Sequence, residues 1–280
     1  MTADNHQDDV KARLLAAVGG DGARGAKVSG SDRPSTSDLS IDEVLLLQSI
    51  GWEPLDLVCG VSLMSIPQGV WRWGVGEVTA ASVAHAQAVE AAVSRLQHEC
   101  YQVDGFGVVG VHIEIEIEFH HVKAVLVGTA VRPIGATKRL GKPFVSDLST
   151  RDFTLLHNAG WEPVGLAFGA SFVHAPRRTA GTAMAQRSQN IELTNFTEAM
   201  YESRERAMER MQSSAVDMSS QGVVAVQISE GPMHFAHHAV RFTAWGTAVR
   251  LGNEGHKYLQ PRMVLPLDDA IVAFDAASLR

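Results

Sequence analysis

"SDLSIDEVLLLQSIGWEPLDLVCGVS", Ser37 to Ser62, returns later in the chain as "SDLSTRDFTLLHNAGWEPVGLAFGAS", Ser146 to Ser171. Both copies open on Ser-Asp-Leu-Ser, carry Gly-Trp-Glu-Pro in the middle and close on Gly-x-Ser. The correspondence continues downstream. "EAAVSRL" (Glu90 to Leu96) is answered by "ERAMERM" (Glu205 to Met211), "GVVGV" (Gly107 to Val111) by "GVVAV" (Gly222 to Val226), and "VGTAVR" (Val127 to Arg132) by "WGTAVR" (Trp245 to Arg250). Similar segments kept in one order are the mark of a tandem duplication, and a unit of about a hundred residues is an ordinary domain size. The expected organisation is a disordered leader 1–36, unit 1 at 37–136, a linker 137–145, unit 2 at 146–253 and a C-terminal tail 254–280.

Each unit reads as helix, strand, long helix, then two strands. Ser40 with Glu43 three residues on is a capping-box pattern ahead of "VLLLQSI", and Gly51 is placed to stop that helix. Leu55, Leu57, Cys59, Val61 and Leu63 alternate with Asp56, Val58, Gly60 and Ser62, the period of a strand. A loop carrying "WRWG" leads to a long helix from about Val78 to Val103. Its stripe of His85, Val89, Val93, Leu96, Cys100 and Val103 is spaced by threes and fours, and Met200, Met208, Met211, Ala215 and Met218 repeat that spacing. Two strands, Gly107 to Phe119 and Val122 to Arg132, complete the unit. The fold class is α+β: an antiparallel sheet on one long helix in each unit, with an extra short helix in front.

The 280 residues are 45% hydrophobic and 20% charged, which places the chain among globular proteins of one or two domains. A formal net charge of -7 with no basic run argues against a nucleic-acid partner held through phosphates. No apolar stretch approaches the ~20 residues of a membrane span. The N-terminus lacks the positive start and apolar core of a secretory signal, and Gly19 to Ser37 has the Gly, Ser, Asp and Pro content of a disordered leader. Two cysteines, Cys59 and Cys100, stand far apart, pointing to a reducing cytoplasm and away from a cysteine zinc site. Phe168 and Ala215 occupy their sister positions, so both cysteines read as buried, inert core thiols. His85, on the helix stripe opposite Met200, reads as a buried or interface histidine.

"VHIEIEIEFHH", Val111 to His121, alternates aliphatic and ionisable residues into a pair of histidines. It is either a row of carboxylates and imidazoles laid out for a cation, or a strand with one wet face. A hairpin with His120 and His121 at its tip sets Ile117 opposite Ala124 and Glu118 opposite Lys123, an oppositely charged pair. In unit 2 Gln227 and Ser229 replace His112 and Glu114, which favours a solvated or subunit-facing surface over a ligand row of His112, Glu114 and Glu116. The paired histidines do recur, as His237 and His238, with His234 nearby. Neighbouring histidines on a strand point to opposite faces, so His120, His121, His237 and His238 would hold a metal only by converging at turns or around a symmetry axis. Exposed loop histidines are the simpler reading. If a metal binds there, a divalent transition ion (zinc, copper or nickel) suits imidazole, whereas the glutamates suit harder cations. No nucleophile elbow, zincin helix, Walker loop or dinucleotide fingerprint is present, so an enzyme is the least supported reading. "GVGEV", Gly74 to Val78, precedes a helix and is a weak anion-site signal without a counterpart in unit 2.

Taken as an ordered set, the strand ending in "CGVS" and "FGAS", the helix with "EAAVSRL" and "ERAMERM", the following "DGFGVVGVHIEIE" and "SSQGVVAVQIS", and the closing "GTAVR" resemble the YbjQ family, small bacterial proteins catalogued as heavy-metal-binding domains. The resemblance spans most of Gly51 to Arg132 and Gly160 to Arg250. It implies β-α-β-β subunits of dodecin type assembled into a pentameric ring, so five tandem chains would make two stacked layers or one ring of ten units. The closing strand "AVLVGTAV" is apolar on both faces, and strands of that kind are covered on both sides. Gly128 and Gly246, at matching places, would admit a close approach by another backbone. The expected function is a non-enzymatic, self-assembling cytoplasmic protein, with metal or small-ligand binding as the alternative.

Overall fold

The computed structural model describes residues 35–67, 76–118, 120–136, 141–178, 181, 184, 190–233 and 236–252. The expected leader up to residue 34, the "WRWG" loop, part of the expected linker, His234 and the tail lie outside the described residues. Among those described, four helices run α1 (Ile41–Ser49), α2 (Thr79–Gln102), α3 (Thr150–Asn158) and α4 (Thr194–Asp217). The strands are β1 (Trp52–Ser65), β2 (Gly76–Glu77), β3 (Gly107–Glu118), β4 (His121–Pro133), β5 (Phe144–Val145), β6 (Trp161–His174), β7 (Gly222–Met233) and β8 (Ala236–Leu251). They form two four-stranded sheets, ordered β1-β4-β3-β5 and β2-β6-β8-β7. The class is α+β.

The local signals act as their chemistry requires. The Ser40 hydroxyl accepts from the Glu43 N–H, and the Glu43 carboxylate accepts from the Ser40 N–H at 2.8 Å, closing the capping box of α1. Gly51 then turns the chain at φ +76. In α2, Ala84, Ala88, Ala92, Leu96 and Cys100 recur every four residues and are buried. The small side chains let the helix backbone lie directly on the sheet: a Cβ on Gly60 would run into the Ala92 carbonyl, and one on Gly169 into the Ala207 carbonyl of α4. The two halves share unusual backbone as well. Asp104 and Ser219 end their helices at φ 57 in both cases, and Gly110 (φ 65) and Ala225 (φ 53) sit at matching bulges in β3 and β7.

Two sequence expectations are corrected and one holds. The β3–β4 hairpin is shifted by two residues, pairing Ile117 with Val122 and Glu116 with Lys123, because Glu118 pairs with His121 and the two-residue turn falls at 119–120 rather than at 120–121. A two-residue shift keeps every side chain on its face, so the hydrophobic pattern could not tell the registers apart. Cys100 is buried, but Cys59 is only half-buried, since its strand turns the odd-numbered side chains away from α2. Gly128 and Gly246 do admit the expected close approach, here by the bulged strands β3 and β7, a Cβ there meeting the Val109 carbonyl oxygen at 3.0 Å and the Val224 carbonyl oxygen at 2.9 Å respectively.

The described residues from Ser37 onward form one compact unit because the halves exchange segments. β2, from the first half, pairs with the end of β6, while β5, ahead of the second half, pairs in parallel with β3. One core cluster accordingly draws Leu166, Ala170 and Phe172 in with Val58, Ala92 and Leu126. No helix among the described residues is long and apolar enough to cross a membrane.

Candidate functional site

The outer face of the first sheet, turned away from α2, carries the residues singled out in the sequence. Across β1, β4 and β3 it presents the rows Leu63, Lys123, Glu116; Val61, Val125, Glu114; and Cys59, Val127, His112. His112 and Glu114 are exposed, and Glu116 is held by Lys123 at 2.9 Å. Both members of that pair are more than two-fifths exposed, so it contributes at most about 1 kcal/mol. His120 lies in the turn and His121 begins β4, exposed. In the other sheet His238 is exposed, its ring 6.1 Å from that of Phe196. The side chain of His237 lies outside the described residues. The structural equivalent of His238 is His120, not His121: the His120 carbonyl accepts from the Ile66 N–H and the His238 carbonyl from the Ala175 N–H, both at 2.6 Å. Among the described residues no three His, Cys, Asp or Glu side chains come together as metal ligands.

The β1 edge is the more telling feature. Among the described residues β1 has β4 on one side and no strand on the other. Side chains from α2 reach round to it: Glu99 accepts from the Cys59 N–H at 2.8 Å, and Arg95 donates to the Val61 carbonyl. Glu99 and partial burial together push the Cys59 thiol up, burial being the larger cause, which makes it a poor nucleophile. Beyond these bonds the edge shows Leu57, Val61 (46% exposed) and Leu63 (64% exposed), an aliphatic row on a long strand, the kind of edge that recruits another chain.

The joint between the halves has no such exposure. α2 spans both sheets: its C-terminal part lies on β1 and β4, and its N-terminal part on the outer face of β6. There His85 is fully buried, stacked on Phe168 at 5.6 Å and tilted against Phe172 at 5.4 Å. Burial, with a smaller contribution from the Arg241 cation, lowers its pKa to about 3, so the ring is neutral. Glu77 accepts from Arg210 at 2.9 Å, Arg206 at 3.0 Å and Ser82 at 2.7 Å. Burial acts against its charge, but the Arg210 hydrogen bond leads a set of contacts that keeps the carboxyl below its ordinary pKa. The Phe172 carbonyl accepts from Val78 N–H at 2.7 Å, and Arg210 donates to the Ala170 carbonyl at 2.7 Å. At the other end Asp147 takes the Thr247 hydroxyl at 2.6 Å, and Asp38 takes Thr129 in the same way, which explains why Ser-Asp-Leu-Ser and Gly-Thr-Ala-Val-Arg recur as a set. Sequence reasoning missed Glu77 and Arg210. The signal was present: Arg95 and Arg210 align within the repeated helix segments, and Glu77 and Glu192 each precede an aliphatic residue and a threonine.

Both Gly-Trp-Glu-Pro motifs meet in a cleft of about 450 Å³, where Trp52 and Trp161 are joined by Phe153, His157, Glu162 and Arg250. Trp52 stands edge-on to Phe153 at 5.3 Å. The cleft is aromatic and open, with an ion pair of 3.6 Å between Arg250 and Glu162 at its rim.

Residues 176–252, which hold α4, β7 and β8, match the family described as "Putative heavy-metal-binding" and designated YbjQ. Most of the chain is similar to the encapsulin nanocompartment protein Rv1762c of Mycobacterium tuberculosis: 33% identical over 252 residues, covering 86% of this chain and 95% of that protein. With near-complete coverage of both partners, this chain belongs to the family of that mycobacterial nanocompartment protein.

Proposed function

We propose that this chain is a non-enzymatic, self-assembling cytoplasmic protein. Its two tandem YbjQ-like units, each of dodecin type, close with further copies into a ring, five chains by the pattern of the family. The observation that carries this reading is the aliphatic row Leu57, Val61 and Leu63 on the unpartnered edge of β1. Fully burying one such side chain is favourable by about 1.5–3 kcal/mol, and a closed ring is the arrangement that buries such an edge on every copy. Kinship with a protein named for an encapsulin nanocompartment supports a place in a larger protein assembly. Mass photometry at micromolar concentration tests it. A particle of five times 30.1 kDa is expected, and a 30.1 kDa monomer overturns the reading.

A second reading, metal binding, is favoured by the family description and by the equivalent placement of His120 and His238 at the ends of their sheets. Copies related by a symmetry axis would supply the ligands that one chain does not bring together. His121 and His237 belong to the same set, and His112, Glu114 and Glu116 form the harder alternative. Elemental analysis after loading with zinc, copper or nickel should show less metal when His120, His121, His237 and His238 are all changed to Ala. Unchanged metal would end the histidine reading.

A further inference from the structure

We infer that the joint between the two halves of the chain is repeated between chains, with the α4 end of one copy docking on the β1 edge of the next. This rests on the self-assembly reading and names its interface. The two halves are built alike, yet each half of the joint has a sister surface that nothing among the described residues covers.

On β6, Ala170 and Phe172 are 2% and 0% exposed under β2 and the start of α2, whereas their sisters Val61 and Leu63 stand open on β1. On the helix side, Glu77, Val78, Ser82 and His85 are enclosed, whereas their sisters Glu192 and Leu193 are exposed and Thr197 and Met200 are half-buried. α2 and α4 have the same length and the same non-helical backbone at the residue before them, Val78 at φ -87, ψ 74 and Leu193 at φ -86, ψ 75. α4 is therefore shaped to present Glu192 to a second sheet as α2 presents Glu77. The acceptor is preset as well: Arg95 already holds the Val61 carbonyl as Arg210 holds the Ala170 carbonyl, leaving its guanidinium on the edge where Glu192 would arrive. Carried across, β2 pairing with β6 (Gly76 with His174, Glu77 with Val173) becomes Ile191 with Ser65 and Glu192 with Met64 of the next copy.

The opposite side of the joint makes the same case independently. Within the chain, Ser146 and Leu148 bind the bulge of β3: the Ser146 N–H donates to Val108, its carbonyl accepts from Val111, and the Leu148 carbonyl accepts from Gly110. That cover leaves Val111 buried. The sister bulge of β7, at Ala225, has β8 on one side and no strand on the other among the described residues, and Val226 and Ile228 are exposed. Ser37 and Leu39, sisters of Ser146 and Leu148, belong to the half that would arrive there. Both exposed edges thus call for the same neighbour in the same orientation, a second copy of this chain placed head to tail. A head-to-tail contact gives a ring when its rotation closes.

Two experiments on the full-length chain decide this. In Leu63→Asp and in Arg95→Glu the assembly should fall to 30.1 kDa by native mass spectrometry with an unchanged far-UV circular dichroism spectrum, and Arg95→Glu/Glu192→Arg together should restore it. Separately, Ser65→Cys/Ile191→Cys, oxidised, should give a ladder of covalently joined chains on a non-reducing gel that neither single cysteine variant gives, since cross-strand neighbours lie within disulfide reach. An assembled wild type that keeps its mass in both single variants, or a double-cysteine protein that gives no ladder, overturns this interface while leaving self-assembly standing. A wild type of 30.1 kDa overturns both.

Discussion

Lowering the pH from 7 to 5 should weaken the joint between the halves through one side chain. His85 is fully buried between Phe168 and Phe172, with its pKa lowered from 6.5 to about 3. Between those values the unfolded chain takes up a proton that the folded chain refuses. Stability is therefore complete above about pH 6.5 and is lost by about 1.4 kcal/mol for each unit that the pH falls below it, down to about 3. At pH 5 the loss is about 2 kcal/mol, or roughly 4–8 °C in melting temperature for a chain of this size. The Arg241 cation on β8 remains charged throughout this window. Glu77 adds a loss only as the pH approaches the ordinary carboxylate value of 4.5, and Asp147, whose pKa burial raises, acts in the opposite sense at low pH. The assay is thermal unfolding at both pH values for the wild type and His85→Met, the side chain that Met200 already supplies in the sister half. The wild type should lose about 4–8 °C more than the variant on going to pH 5. Equal losses in the two proteins would refute the argument that the buried ring governs this response.

Gly60→Ala should destabilise the fold by about 3 kcal/mol in urea titration, because its Cβ would collide with the Ala92 carbonyl and the helix must lift from the sheet. Ala225→Gly should raise stability by about 1 kcal/mol in the same titration, since Ala225 holds a left-handed φ of 53 where its sister is Gly110. Glu77→Gln should cost about 1–3 kcal/mol by leaving Arg206 and Arg210 without their shared carboxylate, and the loss should shrink as the pH is lowered below 4.5 and the wild-type carboxyl is itself protonated.

The α+β class and the helices of the first half were legible because helix caps, glycine stops and strand periods are local signals: Ser40, Glu43, Gly51 and the α2 stripe all sit where their chemistry places them. The β3–β4 register was not, because sliding by two residues leaves every aliphatic on the same face. Alternation along β1 marked a strand but not its inward side. Val58 and Ser62 face α2, while the bulkier Leu57, Val61 and Leu63 face out, since Gly60 and the alanines of α2 let the helix settle on the side with the smaller side chains. The exchange of β2 and β5 was hidden for another reason. Two-residue strands have no period to detect, and their partners lie in the other half of the sequence.

That exchange bears on how the polypeptide acquires its structure during synthesis. α2 leaves the ribosome well before Phe168 and Phe172, the rings that enclose His85, roughly ninety residues and some 5–20 s later at ordinary elongation rates. Throughout that interval the first half can fold its own sheet against the C-terminal part of α2, but the face around His85 has nothing to rest on. Nascent chains stalled before Trp161 should accordingly be cut by protease near Gly76 and Glu77, and protection there should appear only once β6 has been made.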